Sequence, residues 1–228
     1  MDNLLLKYME ESFLKTERTP GSPHPPLVTI SREYGCPSKP IGQMLVEALN
    51  SGARKQHGHC WKFISKEILA ESAKQLNIPE FQVRHMLDAE KKGLVLDLMT
   101  FSTTYGGNER IRKTVEKVIH GFAFQGYAVI VGRAGVAITR EHPNALHFRL
   151  TAPLDWRVSE IAKQHGITEA QARQTAMETD ARRSKFIENL LGRKLDPYVF
   201  DLSFNCKYLS KEEIVLSILR LMELKKMV

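Results

Sequence analysis

The stretch Leu27-Val28-Thr29-Ile30-Ser31-Arg32-Glu33-Tyr34-Gly35-Cys36-Pro37-Ser38-Lys39-Pro40-Ile41-Gly42 decides how this chain is read. It opens on a short apolar run rich in β-branched residues, which predicts a strand. A polar turn with Gly35 and two prolines follows, and beyond it Ile41, Met44, Leu45, Ala48 and Leu49 recur at helical spacing. Strand, turn and helix in that order open an α/β unit. The same order returns downstream. A helix through 109–125 leads into Tyr127-Ala128-Val129-Ile130-Val131, which stops at Gly132-Arg133. Ala145 to Leu150 reads as a further strand, closed by Thr151-Ala152-Pro153, with Pro153 suited to the first turn of a helix. Leu202 to Asn205 is the last strand, and Ser210-x-x-Glu213 is a capping box that opens an amphipathic C-terminal helix. Strands alternating with helices predict a three-layer α/β fold, a parallel sheet with helices on both faces and ligands at the carboxyl ends of its strands.

Two helical hairpins, 65–91 and 155–187, interrupt the alternation. Asn77 and Gly166 suit left-handed caps ending their first helices, Pro79 a first helical position, and Thr168-x-x-Gln171 a capping box. Residues 2–17 place Leu5, Leu6, Met9, Phe13 and Leu14 on one helical face, and Thr19 to Pro26 cannot continue a helix. Residues 1–26 are therefore expected to be an appended helix and Pro-rich linker on a domain spanning 27–228. That helix would pack on the core or join two copies as a homodimer. With 228 residues, 43% hydrophobic and 26% charged, the chain is neither disordered nor a mini-protein. Its wholly apolar runs fall far short of the roughly 20 residues a membrane span needs, and acids between Met1 and Glu11 speak against a signal peptide. A cytoplasmic protein is expected. Cys36, Cys60 and Cys206 show no close spacing, which argues against a disulfide framework. Lys and Arg total 33 against 26 acids, a net +7, so an anionic partner is expected.

The turn after the first strand is the candidate anion site. A phosphate loop needs converging backbone N–H groups, a helix start aimed at the anion, and a cation for the outer phosphates. Lys39 and the helix start meet two of these needs. The segment departs from G-x-x-x-x-G-K-[ST]: no glycine precedes Lys39, and Pro40 stands where a hydroxyl residue would hold Mg²⁺. Pro37 and Pro40 also lack amide donors. A plain strand-to-helix turn, with Pro40 at the first helical position, is the competing reading. Cys36, near a helix N-terminus and beside Lys39, would gain a stabilised thiolate there, but a small residue in a turn is the expected reading. His57-Gly58-His59-Cys60 holds three potential metal ligands but lacks the second pair a zinc site needs, so a polar loop is expected. Residues 161–177 also look like a DNA-binding helix-turn-helix, with Gly166 in the turn and Gln171, Arg173 and Gln174 on the next helix. Their place between two strands of an α/β pattern argues against it, and nucleic acid is not the expected partner.

The run V-T-I-S-R-E-Y-G-C-P-S-K-P-I-G resembles the start of the cytidylate kinase-like family, whose members read ITISREYGSGGREIG there. That family is a divergent relative of the bacterial cytidylate kinases and other P-loop nucleoside monophosphate kinases. Cys36, Pro37 and Ser38 replace the family's Ser-Gly-Gly, and Lys39 falls where it has Arg. Val129-Ile130-Val131-Gly132-Arg133-Ala134 is similar to its V-I-V-G-R motif, with Ala134 where cytidylate kinases carry Asp. Thr179-Asp180-Ala181-Arg182-Arg183 resembles the D-x-R-R of the family's lid, and five bases stand against two acids between Asp180 and Lys194. Residues 201–213 match its final strand and helix.

The resemblance implies a P-loop kinase-like fold with an inserted NMP-binding segment over 57–108 and a lid over 165–196. It implies transfer of the ATP γ-phosphate to a nucleoside monophosphate, CMP or dCMP foremost, with Mg²⁺. A nucleotide-binding protein that has lost catalysis is the alternative within the fold. Gly35, Cys36, Pro37, Ser38, Lys39, Pro40, Ile41 and Gly42 would bind ATP. Arg133, Asp180 and, on a gapless count, Arg112 would bind the acceptor, while Lys39, Arg182 and Arg183 would be catalytic. No protein ligand to a metal is implied. Trp61, Phe63 and Ser65 would lead into the first helix of the inserted lobe, the two aromatics being expected in the core.

Overall fold

The computed structural model describes residues 24–51, 59–64, 116, 119–132 and 134–228. Its elements are β1 (Leu27–Arg32), α1 (Ser38–Asn50), β2 (Lys62–Ile64), β3 (Ala128–Val131), α2 (Gly135–Thr139), β4 (Ala145–Thr151), α3 (Leu154–His165), α4 (Glu169–Leu191), β5 (Leu202–Asn205) and α5 (Lys211–Leu224). The five strands form one sheet in the order β2-β3-β1-β4-β5, every pairing parallel. β1 is therefore central, and residues 27–30 are buried, as expected of a parallel strand covered on both faces.

Alternation along the strands sorts side chains between the two layers. Val28, Ile30, Val129, Val131, Phe148, Leu150 and Phe204 share one core with Ile41 and Leu45 of α1 and Ile214 and Ile218 of α5. Leu27, Ala128 and Ile130 belong to a second core with Ile119 and Phe122 of the helical stretch 119–125. The three-layer α/β architecture expected from the sequence is the one observed. Gly42 explains how closely α1 seats: a Cβ there would stand 2.7 Å from Phe63 and 2.8 Å from Val131.

Capping was legible. Gly166 ends α3 in the left-handed conformation, and Thr168 and Ser210 each complete a reciprocal capping box, with Gln171 and Glu213. Four details differ from expectation. Lys62–Ile64 is a strand of the central sheet, so the segment assigned to the inserted lobe starts with a core element. A three-residue strand shows no alternation that periodicity could detect. Tyr127 stands outside β3 with φ +47, its N–H donating to the Pro26 carbonyl at 2.7 Å. Pro153 is the N-cap of α3 rather than part of its first turn. Pro37, not Pro40, marks the boundary of α1, which places Pro40 third in the helix, where an amide has no intrahelical acceptor to lose. The N-terminal helix 2–17, the hairpin 65–91, Arg112 and Arg133 lie outside the described residues.

Candidate functional site

The loop after β1 is held from above by the α3–α4 hairpin. The hairpin has its own small core, Val158 and Ile161 of α3 against Ala172 and Ala176 of α4. Among the buried positions of α3 is a charge, Arg157, 7% exposed. A buried guanidinium persists only when its donors find partners. Arg157 Nε donates to the Ala152 carbonyl at 3.0 Å, and its Nη1 donates to the Tyr34 carbonyl at 3.0 Å and to Asp180 Oδ2 at 2.8 Å. Asp180 Oδ1 accepts the Tyr34 backbone N–H at 2.8 Å. Glu33 closes the circuit: its Oε2 accepts the Ala152 N–H at 3.1 Å and lies 3.5 Å from Arg157, and its Oε1 lies 3.6 Å from Arg149. Loop, β4 and both hairpin helices are thereby tied through one buried cation. Sequence reasoning missed Arg157, although its place beside Val158 and four residues before Ile161 on the apolar stripe was a signal.

Beside this network lies a cavity of about 570 Å³ between the ends of β1 and β4, α4 and the segment leading to β5. Arg32, Arg149, Arg183 and Lys194 bring cations to it, and Ile187, Leu195, Pro197 and Phe200 give it an apolar wall. The Arg149 guanidinium sits 5.7 Å from the Phe200 ring centroid, and Arg183 sits 5.4 Å from that of Tyr34. A concave space of this size with a few converging polar groups has the form of a small-molecule site. Arg32 and Arg149 were not anticipated, though Arg149 stands between Phe148 and Leu150 in a strand of the sheet.

The residues proposed from sequence are distributed unevenly. Arg183 and Asp180 line the cavity, but both Asp180 oxygens already serve the loop and two arginines, Arg183 Nη1 being 3.6 Å away. Asp180 thus stands as a positioning group. Arg182 bends back along its own helix, donating to the Glu178 carbonyl at 3.2 Å and the Thr179 hydroxyl at 3.3 Å. Gly35 has φ +93 and lies close under Arg157 and Ile161. The Ser38 amide is taken by the Cys36 carbonyl at 2.8 Å, and Pro37 and Pro40 supply none. Lys39 is exposed on the first turn of α1, whereas the Ile41 side chain is fully buried in the core and Gly42 serves helix–sheet packing.

Cys36 is buried in the turn before α1. Its thiol shares a hydrogen bond with Cys206, at the end of β5, and that bond together with burial pushes the Cys36 thiol well above its ordinary range. The same bond lowers Cys206.

The helix-turn-helix reading meets occupied side chains: Arg173 pairs with Asp155, Gln174 donates to Glu178 at 2.9 Å, and Gln171 completes the cap. Trp61 is buried, as expected, and Phe63 packs against the same core. His59 stacks on Tyr127 with centroids 4.3 Å apart, and among the described residues no three His, Cys, Asp or Glu side chains gather to hold a metal. No helix among the described residues is long and apolar enough to cross a membrane.

Comparison with known proteins bears on this arrangement. No curated protein matches the chain. Among solved structures, an uncharacterized protein from Eubacterium ventriosum ATCC 27560 is similar over 87% of this chain and 98% of its own, at 20% identity and a TM-score of 0.59. A shikimate kinase from Bacteroides thetaiotaomicron is similar over 88% of this chain and 98% of its own, at 13% identity and a TM-score of 0.51. At such identities the likeness concerns the fold, which is that of a P-loop kinase. The family model described as "Cytidylate kinase-like family" matches residues 27–208, from the first residue of β1 to beyond β5. On that match the chain belongs to the cytidylate kinase-like family.

Proposed function

We propose that the protein is a phosphotransferase that moves the γ-phosphate of ATP to a nucleoside monophosphate, with CMP or dCMP as the first acceptor to test. The observation that carries this reading is the cavity beside the β1 loop, where cations face an apolar wall. An acceptor's base would lie along Ile187, Leu195, Pro197 and Phe200, and its phosphate would face Arg183 and Arg149. Arg133 and Arg112 are further candidates for the acceptor phosphate. Lys39 and the backbone from Gly35 to Gly42 would hold the donor phosphates. Arg182 and Arg183, on a helix that reaches over the site, would neutralise charge on the transferring group, the main task in phosphoryl transfer. Mg²⁺ would arrive as part of the magnesium–ATP substrate. The described residues offer no protein ligand set for it, since Pro40 replaces the hydroxyl, and Glu33 and Asp180 are engaged by arginines and backbone amides.

The thin amide cradle supports a second reading, a nucleotide-binding protein without turnover. A panel of monophosphates with Mg-ATP, run beside Lys39→Ala and Arg149→Ala, separates the two. Turnover with an acceptor, falling at least tenfold in each variant, supports the kinase. A nucleotide-dependent thermal shift without turnover supports the second reading, and rescue by Pro40→Thr would identify the missing hydroxyl as the limiting part. Neither turnover nor shift would sink both.

A further inference from the structure

We infer that Arg32 seats a phosphate group at the cavity, and that position 132 is glycine because any side chain there would take the place of the Arg32 guanidinium. The inference rests on the reading of the cavity as the monophosphate site and adds a residue to it. Arg32 closes β1, and Gly132 follows the last residue of β3, the strand paired with β1. The two meet at the carboxyl ends of adjacent parallel strands, where such folds bind ligands. Their contact is close. A Cβ on Gly132 would lie 1.8 Å from Arg32 Nη1, 2.7 Å from its Cζ and 3.2 Å from its Nη2. The guanidinium thus rests against the Gly132 backbone, in the volume a methyl group would fill. Half-buried there, Arg32 also lines the cavity with Arg149 and Arg183.

Two demands coincide at Gly132. Its φ of +73 disfavours a side chain by itself. Its N–H donates to the Ile30 carbonyl at 2.9 Å, and its carbonyl accepts the Gly135 N–H at 2.8 Å. Those bonds pin the turn, so a methyl group would displace Arg32 rather than the backbone. Gly132 is therefore a positioning residue, and Arg32 is the group it positions. The fork of a guanidinium matches two phosphate oxygens at once, which a lysine cannot do. Arg32 touches both the cavity, with its other arginines, and the turn whose next residue in sequence is Arg133. A phosphate on this fork would connect the two.

The test measures CMP and cytidine binding to the full chain by calorimetry, in the unaltered protein, Arg32→Ala, Gly132→Ala and the double variant. Arg32→Ala is expected to weaken CMP by about tenfold or more and cytidine by less than about twofold, since only CMP carries the phosphate. Gly132→Ala should weaken CMP to a similar extent, yet change it by less than about twofold where Arg32 is already Ala. The strain of the positive φ is present in both backgrounds and cancels. Arg32→Lys, which keeps the charge without the fork, should recover only part of the loss. If Gly132→Ala does not fold, Gly132→Asn takes its place, because Asn tolerates the left-handed region while still carrying a Cβ. Unchanged CMP affinity in Arg32→Ala, equal losses for CMP and cytidine, or equal effects of the glycine substitution in both backgrounds would overturn the inference. Titration with inorganic phosphate separates it from the reading on which it rests. Phosphate binding that requires Arg32, without CMP binding, refutes the monophosphate reading and upholds the phosphate seat, whereas binding of neither overturns both.

Discussion

Replacing Arg157 with Met would keep most of the side-chain volume and remove the cation that joins loop, β4 and the α3–α4 hairpin. Three hydrogen bonds disappear, to Ala152, Tyr34 and Asp180, together with the 3.5 Å contact to Glu33. Breaking a buried ion pair from one side costs about 3–5 kcal/mol when the remaining charge is fully enclosed. Here Asp180 and Glu33 are each 26% exposed and keep backbone donors at Tyr34 and Ala152, which lowers the figure to about 2–4 kcal/mol. For a chain of this size that corresponds to a fall in Tm of roughly 5–15 °C. Arg157→Lys keeps the charge but not the fork, and should cost about half as much. Urea denaturation of Arg157→Met, Asp180→Asn and the double variant completes a cycle with an expected coupling of about 1–3 kcal/mol. The reasoning is refuted if Arg157→Met costs less than about 1 kcal/mol, or if the two single effects add to within about 0.5 kcal/mol.

Burial holds His147 below its ordinary range, its Nδ1 2.7 Å from the Thr29 hydroxyl. The unfolded chain therefore binds the extra proton first, and this contribution to stability, complete above about pH 6.5, should fade as pH drops below it. Denaturation midpoints from pH 7.5 to 5 should fall more steeply in the native protein than in His147→Gln. Burial also lowers Lys62 to about 8 from 10.5, so the folded form sheds its proton first and stability should rise with pH between those values. In Lys62→Met that rise should vanish, while a slope unchanged by the substitution would count against the burial argument. Gly42→Ala should cost about 1–3 kcal/mol by forcing a methyl against Phe63 and Val131, read as a lower urea midpoint at unchanged m-value.

Four of the five strands, the hairpin turn and both capping boxes could be read directly because each rests on local chemistry: β-branched runs, a glycine at a left-handed cap, hydroxyl and carboxylate or amide three residues apart. Lys62–Ile64 escaped because its strand identity comes from pairing with β3, not from its own three residues. The site followed the same division. Motif spacing marked residues 35–42 and the basic stretch 180–194 as parts of one site; Asp180, Arg183 and Lys194 line the cavity, whereas residues 35–42 do not. It could not reveal that Asp180 faces the Tyr34 amide, that Arg149 reaches Glu33, or that Cys36 meets Cys206. Those contacts depend on the order of strands in the sheet and the docking of the hairpin.

The footing of α4 has a mechanical consequence. Its buried residues are Ala172, Ala176 and Thr179, all in the first half, so the helix is clamped near its base and projects beyond it. The last point at which it is tied down is Asp180, held by Arg157 and the Tyr34 amide. Eleven residues separate Asp180 from the tip at Leu191, a lever arm of about 16 Å. A tilt of about 10° at that tie would sweep the tip through about 3 Å, whereas Arg183, one turn from the tie, would hardly move.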